Sequence, residues 1–276
     1  MLDPFQLPFM QRAAAEIVLL APLAGLLGAQ IVLRRLAFFT HGVGTAAFPG
    51  LVVAGPWGIP PALAALAVGG GFAVLLERLG RGTGLARDAG TALLLVAALA
   101  VGIVLASDVF ETGAGVDRLL FGSLLAIGDS ELLVTAIVLV VALIAAAVFR
   151  RGWIESGFDD LDPAKPGLRR RVGDLALLAV VAMAAIAAID AVGALLVGAI
   201  LVVPAATARL FARSVPGLEI GAAALALAEG LTGLLIAFEL DAPPGAVIAI
   251  LGAAVFAICL TARELAPRAA GERAAA

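Results

Sequence analysis

The 276 residues include one cysteine and one histidine, and only 14% of them are charged. The single cysteine, Cys259, lies in an apolar run, so an internal disulfide or a thiolate cluster is excluded. With one imidazole, His41, the chain cannot build a histidine-based metal triad, and no Ser-His-Asp constellation is visible. No G-x-x-x-x-G-K-S/T loop is present, so the chain does not bind ATP by a P-loop. Enzyme chemistry within the chain is not expected, no cofactor is implied, and nothing points to a nucleic acid partner. The shortage of charge excludes more. A soluble domain carries roughly 25% charged residues, and a water-facing surface cannot be assembled from this pool.

What is present in quantity is apolar. The chain is 63% hydrophobic with a mean hydropathy of +1.13. Several runs approach the ~20 apolar residues needed to cross ~30 Å of hydrocarbon. The composition therefore predicts an all-α polytopic membrane protein. Candidate spans lie near 14–33, 37–58, 61–79, 89–107, 131–149, 172–190, 192–208, 218–238 and 244–262. The stretch 119–128, "LLFGSLLAIG", is too short to cross and reads as a re-entrant or interfacial turn. The N-terminus lacks the basic start and cleavage site of a signal peptide, so its first apolar run is expected to be a retained span.

Arginines set the expected orientation. Arg34 and Arg35, Arg78 to Arg87, Arg150 to Arg171, Arg209 and Arg213, and Arg263 to Arg273 fall at alternate connections. The positive-inside rule makes those connections cytoplasmic. The others carry Asp108, Glu111, Asp117, Asp129, Glu131, Asp190, Glu239 and Asp241. About nine crossings follow, with the N-terminus outside and the C-terminus cytoplasmic. A single transmembrane domain is expected over 1–265, and the small, polar segment 266–276 reads as a disordered tail. The one sizeable soluble piece is the cytoplasmic loop 150–171, "RRGWIESGFDDLDPAKPGLRRR". By composition it is either a solvated connector or a docking segment.

In a membrane chain without catalytic motifs, the informative residues are polar groups at membrane depth. His41 and Thr45 lie one helical turn apart in "FFTHGVGTAAFPG", a span that Gly42, Gly44 and Pro49 make pliable. His41 is either a neutral imidazole bonded to a neighbouring carbonyl or part of a substrate path. Glu229, in "ALALAEGLTGLL", sits near mid-span, where it marks a path or pairs with another helix's hydroxyl. Asp190 and Asp241 fall near the outer boundary, where caps or loop charges explain them. The glycines of "VGGGFAVL" fit helix packing better than phosphate binding.

The run "VGALLVGAILVVPAATARLFARS", Val192 to Ser214, resembles the signature region of the permease subunits of zinc/manganese/iron-type ABC importers, through Pro204, Thr207 and Arg209. Other blocks are similar in the same order. They are "VLRRLAFF" with "FPGLVVA", "RDAGTALLLVAALAVGIVLAS", "VDRLLFGSLLAIGDSEL", "GFDDLDPAKPG" and "LDAPPGAVIAILGAAVFAI". The likeness runs from about Leu33 to Ile258. It implies a homodimeric permease in the cell membrane, cytoplasmic ATP-binding subunits that bind and hydrolyse the ATP, and an extracytoplasmic binding protein that delivers a metal ion. It also implies an ATPase-coupling role for Phe158, Asp159 and Gly167 in the 150–171 loop. The family commonly has an Asp and, four residues later, a His in its first block. Here those positions are His41 and Thr45. His41 is then the one expected metal ligand, and a chelated or non-metal cargo is the alternative. A proton-coupled secondary transporter would also bury carboxylates, but would be expected to show internal repeats, which the sequence lacks.

Overall fold

The computed structural model describes residues 3–83, 87–109, 122–158, 168–193 and 196–274. Among them every regular element is helical. The α-helices are α1 (Pro8–Leu33), α2 (Ala37–Ala46), α3 (Phe48–Trp57), α4 (Pro61–Thr83), α5 (Arg87–Val104), α6 (Asp129–Phe158), α7 (Leu168–Ala187), α8 (Ile189–Val192), α9 (Val197–Arg209), α10 (Val215–Leu240) and α11 (Pro244–Ala274). Six segments are long and apolar enough to cross a membrane: Pro8–Leu33, Ala37–Trp57, Ala89–Ser107, Asp129–Glu155, Val215–Leu240 and Pro244–Leu265. The other three expected spans coincide with the shorter apolar helices Leu63–Leu76, Val172–Ala187 and Val197–Arg209. The protein is an all-helical, multi-pass membrane protein.

The centre of the bundle is α1, packed on α6, α9 and α10. Its apolar window is 67% buried, against 22% for α5 and α6 and 17% for α11. The peripheral helices therefore present leucine, isoleucine and valine outward, as Val96, Leu133, Ile144 and Ile250 do. A lipid solvent makes that arrangement costless. Two close approaches let α1 sit so deep. A methyl at Gly25 would lie 2.5 Å from the Glu219 carbonyl oxygen, and one at Gly28 would collide with the Leu201 carbonyl. Small residues at these points let backbones meet, which is how membrane helices gain packing energy.

At its end α1 turns sharply into α2. The Leu36 amide donates to the Ile31 carbonyl at 2.8 Å, and Arg35 takes a left-handed conformation with φ 57°. This is the closure that usually uses glycine. The second span is broken at Ala47. Pro49 near the start of α3 supplies no N–H to the preceding turn, and the chain restarts as a new helix.

The span expected over 192–208 starts later than its first residue. α8 ends at Val192, Gly193 takes φ 85° and ψ 154°, and α9 begins only at Val197. A non-glycine residue would be strained at Gly193. A methyl added at Gly122, itself at φ 73°, would collide with the Gly193 amide nitrogen and the Val192 carbonyl carbon. A methyl at Gly245 would lie 2.8 Å from the Val192 carbonyl oxygen. Three glycines from separate parts of the chain thus meet at one corner. Pro204 stays inside α9, buried and without ending the helix.

Of the 119–128 stretch, the described part holds a single 3-10 turn, Leu124–Ala126, with Leu124 buried. The backbone of α11 runs as helix from Pro244 through Ala274.

Candidate functional site

His41 is half-buried on α2, and its neighbour across the bundle is the start of α9. A methyl placed on Gly198 would lie 3.4 Å from His41 Cβ and 3.5 Å from Nδ1. The imidazole therefore rests against the first turn of the signature helix, beside the break at Gly193. Thr45, one turn along the same face of α2, is 1% exposed. Gly42 of the same helix packs against Thr91 of α5 and Phe72 of α4. These contacts enclose α2 on several sides, and 78% of the Ala37–Trp57 window is buried.

Glu229 is 5% exposed, and its Oε1 is buried without a hydrogen-bond partner. It faces a small recess between α9, α10 and α11, lined among others by Ile200, Val203, Pro204, Ile248 and Gly252. A methyl at Gly252 would lie 3.0 Å from Glu229 Oε2. At about 100° per residue, Gly198 and the group Ala199, Ile200, Val203 and Pro204 occupy roughly opposite faces of α9. The structure thus seats His41 and Glu229 against the same helix but on different sides of it. Neither His41 nor Thr45 lines the recess that Glu229 faces. Among the described residues there is no group of three or more His, Cys, Asp or Glu side chains placed to hold a metal ion.

The signature residues serve the architecture. Pro204 lines the Glu229 recess, and Thr207 donates to the Val203 carbonyl of its own helix at 2.9 Å. Arg209 Nη1 donates to the Val32 carbonyl at 3.0 Å, tying the end of α9 to the end of α1. Asp241 caps α10 in a left-handed conformation, φ 51°, which accounts for it without a ligand role. Of the residues expected to couple to an ATPase, Phe158 is the last residue of α6, while Asp159 and Gly167 lie outside the described residues.

The stretch 150–171, expected as a loop, is helical at both ends, because α6 runs through Phe158 and α7 starts at Leu168, and the two helices are joined. Trp153 of α6 is 1% exposed and donates its Nε1–H to the Gly173 carbonyl of α7 at 2.8 Å. Arg34, at the end of α1, donates to Asp174 Oδ1 at 2.6 Å and to the Trp153 carbonyl at 2.9 Å. Arg150 of α6 forms an ion pair with Glu219 of α10.

Two buried polar residues on α1 were not anticipated. Glu16 is 1% exposed and accepts a hydrogen bond from Thr135 Oγ1 of α6 at 2.7 Å. Gln30 is also 1% exposed, and its Oε1 has no partner. The signal for Glu16 was present in "RAAAEIVLL", but its place near the start of an apolar run reads as a boundary charge. The span in fact begins at Pro8, which puts Glu16 two turns inside.

The profile of the ABC 3 transport family matches residues 6–263. The chain belongs to that family, and it is a membrane permease of the ABC type. It is 27% identical to the manganese transport system membrane protein MntC of Halalkalibacterium halodurans, over 91% of this chain and 86% of the relative. It is 28% identical to the chelated iron transport system membrane protein YfeD of Yersinia pestis, over 96% of this chain and 89% of the relative. The fold is also that of PsaBC from Streptococcus pneumoniae, solved in complex with a Fab. That match has a TM-score of 0.84 and 24% identity, covering 94% of this chain and 93% of the other.

Proposed function

We propose that this chain is the translocating subunit of an ATP-driven importer for a divalent transition metal, with manganese and iron the favoured cargoes. The observation that carries this reading is His41, held against Gly198 where the signature helix begins, in a chain whose relatives are named for manganese and iron transport. Two copies form the permease, and cytoplasmic ATP-binding subunits hydrolyse the nucleotide. An extracytoplasmic binding protein delivers the cargo. The chain crosses the membrane nine times, with its N-terminus outside and its C-terminus cytoplasmic. Arginine asymmetry supports that orientation.

His41 and Thr45 line the path in this reading. Imidazole is a good ligand for first-row metals, whereas a hydroxyl is a poor one. Glu229, on the far side of α9, is assigned no direct contact with cargo. The loop 150–171 is the surface on which the ATPase acts, with Phe158, Asp159 and Gly167 its contact residues.

A chelated metal is the second reading. The absence of a ligand cluster among the described residues favours it, since a complexed ion brings its own ligands. Uptake of radioactive manganese into vesicles holding the whole complex separates the two. His41→Ala should reduce uptake of the bare ion by about tenfold or more, the loss of a ligand bond worth about 1.4 kcal/mol or more, while assembly with the ATPase is unchanged. A mild phenotype would remove His41 from the path and favour the chelate.

A further inference from the structure

Arg34 has an unusual set of partners. Its guanidinium touches α7 through Asp174 and α6 through the Trp153 carbonyl, and these are the two helices that bracket residues 159–167 of the 150–171 stretch. The Trp153–Gly173 hydrogen bond already fastens those helices to each other, so Arg34 grips a joined pair. The Arg34 side chain is only 13% exposed, while its partner Asp174 is 39% exposed and meets solvent. On its own chain, Arg34 is the cap residue of α1, and the tight turn through Arg35 and Leu36 leads straight into α2. His41 follows seven residues after Arg34, in the second turn of α2 beyond that tight turn. Arg209 adds a second tie at the same place, from α9 to the Val32 carbonyl.

We propose that Arg34 is the positioning residue that transmits displacement of the cytoplasmic loop to α2, and so to His41. This rests on the reading of that loop as the ATPase-coupling surface. A push on the loop moves the ends of α6 and α7 together, because Trp153 and Gly173 hold them. Movement of Asp174 and the Trp153 carbonyl drags the guanidinium, because two directed donor bonds from one rigid fork resist both sliding and rotation. The rigid turn then tilts α2 relative to Gly198. Without the fork, α6 and α7 would still move, but α2 would follow only through its direct packing on α7.

The complex, reconstituted with its ATP-binding subunit and binding protein, tests this through the ratio of manganese taken up to ATP hydrolysed. Arg34→Gln and Asp174→Asn should each keep hydrolysis within about twofold and lower the ratio by about tenfold, in the range of coupling factors between linked sites. The double variant should fall no further, since both changes break one link. Arg34→Lys should recover only part of the ratio, because an ammonium lacks the two-pronged geometry. Uptake and hydrolysis falling in parallel, additive losses, or full recovery by lysine would each overturn the proposal. Should Arg34→Gln prevent folding, Asp174→Asn at the more exposed partner gives the same readout. Asp159→Ala is measured alongside. If it leaves hydrolysis and uptake coupled, the loop itself is not the coupling surface; if it uncouples them while the Arg34 and Asp174 variants do not, only the Arg34 relay fails.

Discussion

His41 and Gly198 face each other across α2 and α9 with room for a methyl group and little more, the added carbon lying 3.4 Å from His41 Cβ. Gly198→Ala should therefore be tolerated, with uptake within about twofold of the parent and a helix gain of up to ~1 kcal/mol. Gly198→Leu has no such room and must displace the imidazole, so uptake should fall by about tenfold or more, the rate equivalent of at least ~1.4 kcal/mol. Isotope uptake at matched expression, with thermal melting of the purified protein, checks both. A fully active leucine variant would mean that the face between α2 and α9 carries no cargo.

Glu229 separates charge from shape. Its carboxyl is buried with one oxygen unpartnered, and it sits across α9 from His41. Glu229→Gln should keep uptake near that of the parent, since the proposed path runs on the other side of α9. Glu229→Met, apolar and of similar length, should stabilise the fold by about 1–3 kcal/mol, the usual penalty for a buried polar group left unsatisfied. A rise in melting temperature with uptake retained is the expected result. Loss of uptake in both variants, with melting unchanged, would bring the carboxyl onto the path.

Orientation is open to a direct chemical check. In a Cys259→Ala background, cysteine at exposed Ser130 should react with an impermeant thiol reagent added outside intact cells. Cysteine at exposed Arg213 should react only after permeabilisation. The opposite pattern would invert the nine-crossing arrangement.

The long spans were legible because lipid demands unbroken apolar runs, and Pro8–Leu33, Asp129–Glu155, Val215–Leu240 and Pro244–Leu265 supply them. Arg34 marked the end of α1 correctly for the same reason. The connection between the spans expected at 172–190 and 192–208 was legible, but its position at Gly193 was not, because hydropathy runs through it without change. What breaks the helix there is contact with Gly122, seventy-one residues away in the chain. The relation of His41 to Glu229 was illegible for a related cause. Each residue announces its depth by its place in its own run, but neither indicates which face of α9 it meets. Gly198 and Pro204 decide that, and their roles appear only once three helices are packed together.

The corner where Gly122, Gly193 and Gly245 meet Val192 sets a rule for how this sequence can vary. Side chains on the lipid-facing helices touch solvent-like hydrocarbon, so Ile250 or Leu133 can be exchanged for another apolar residue with little effect. At the corner, backbone lies against backbone, and no rotamer is available to absorb an added atom. Even an alanine at Gly122 would have to move the Gly193 segment, and one at Gly245 would press on the Val192 carbonyl from another side. Changes there must arrive jointly or not at all, whereas the outer faces of the bundle are free to drift one residue at a time.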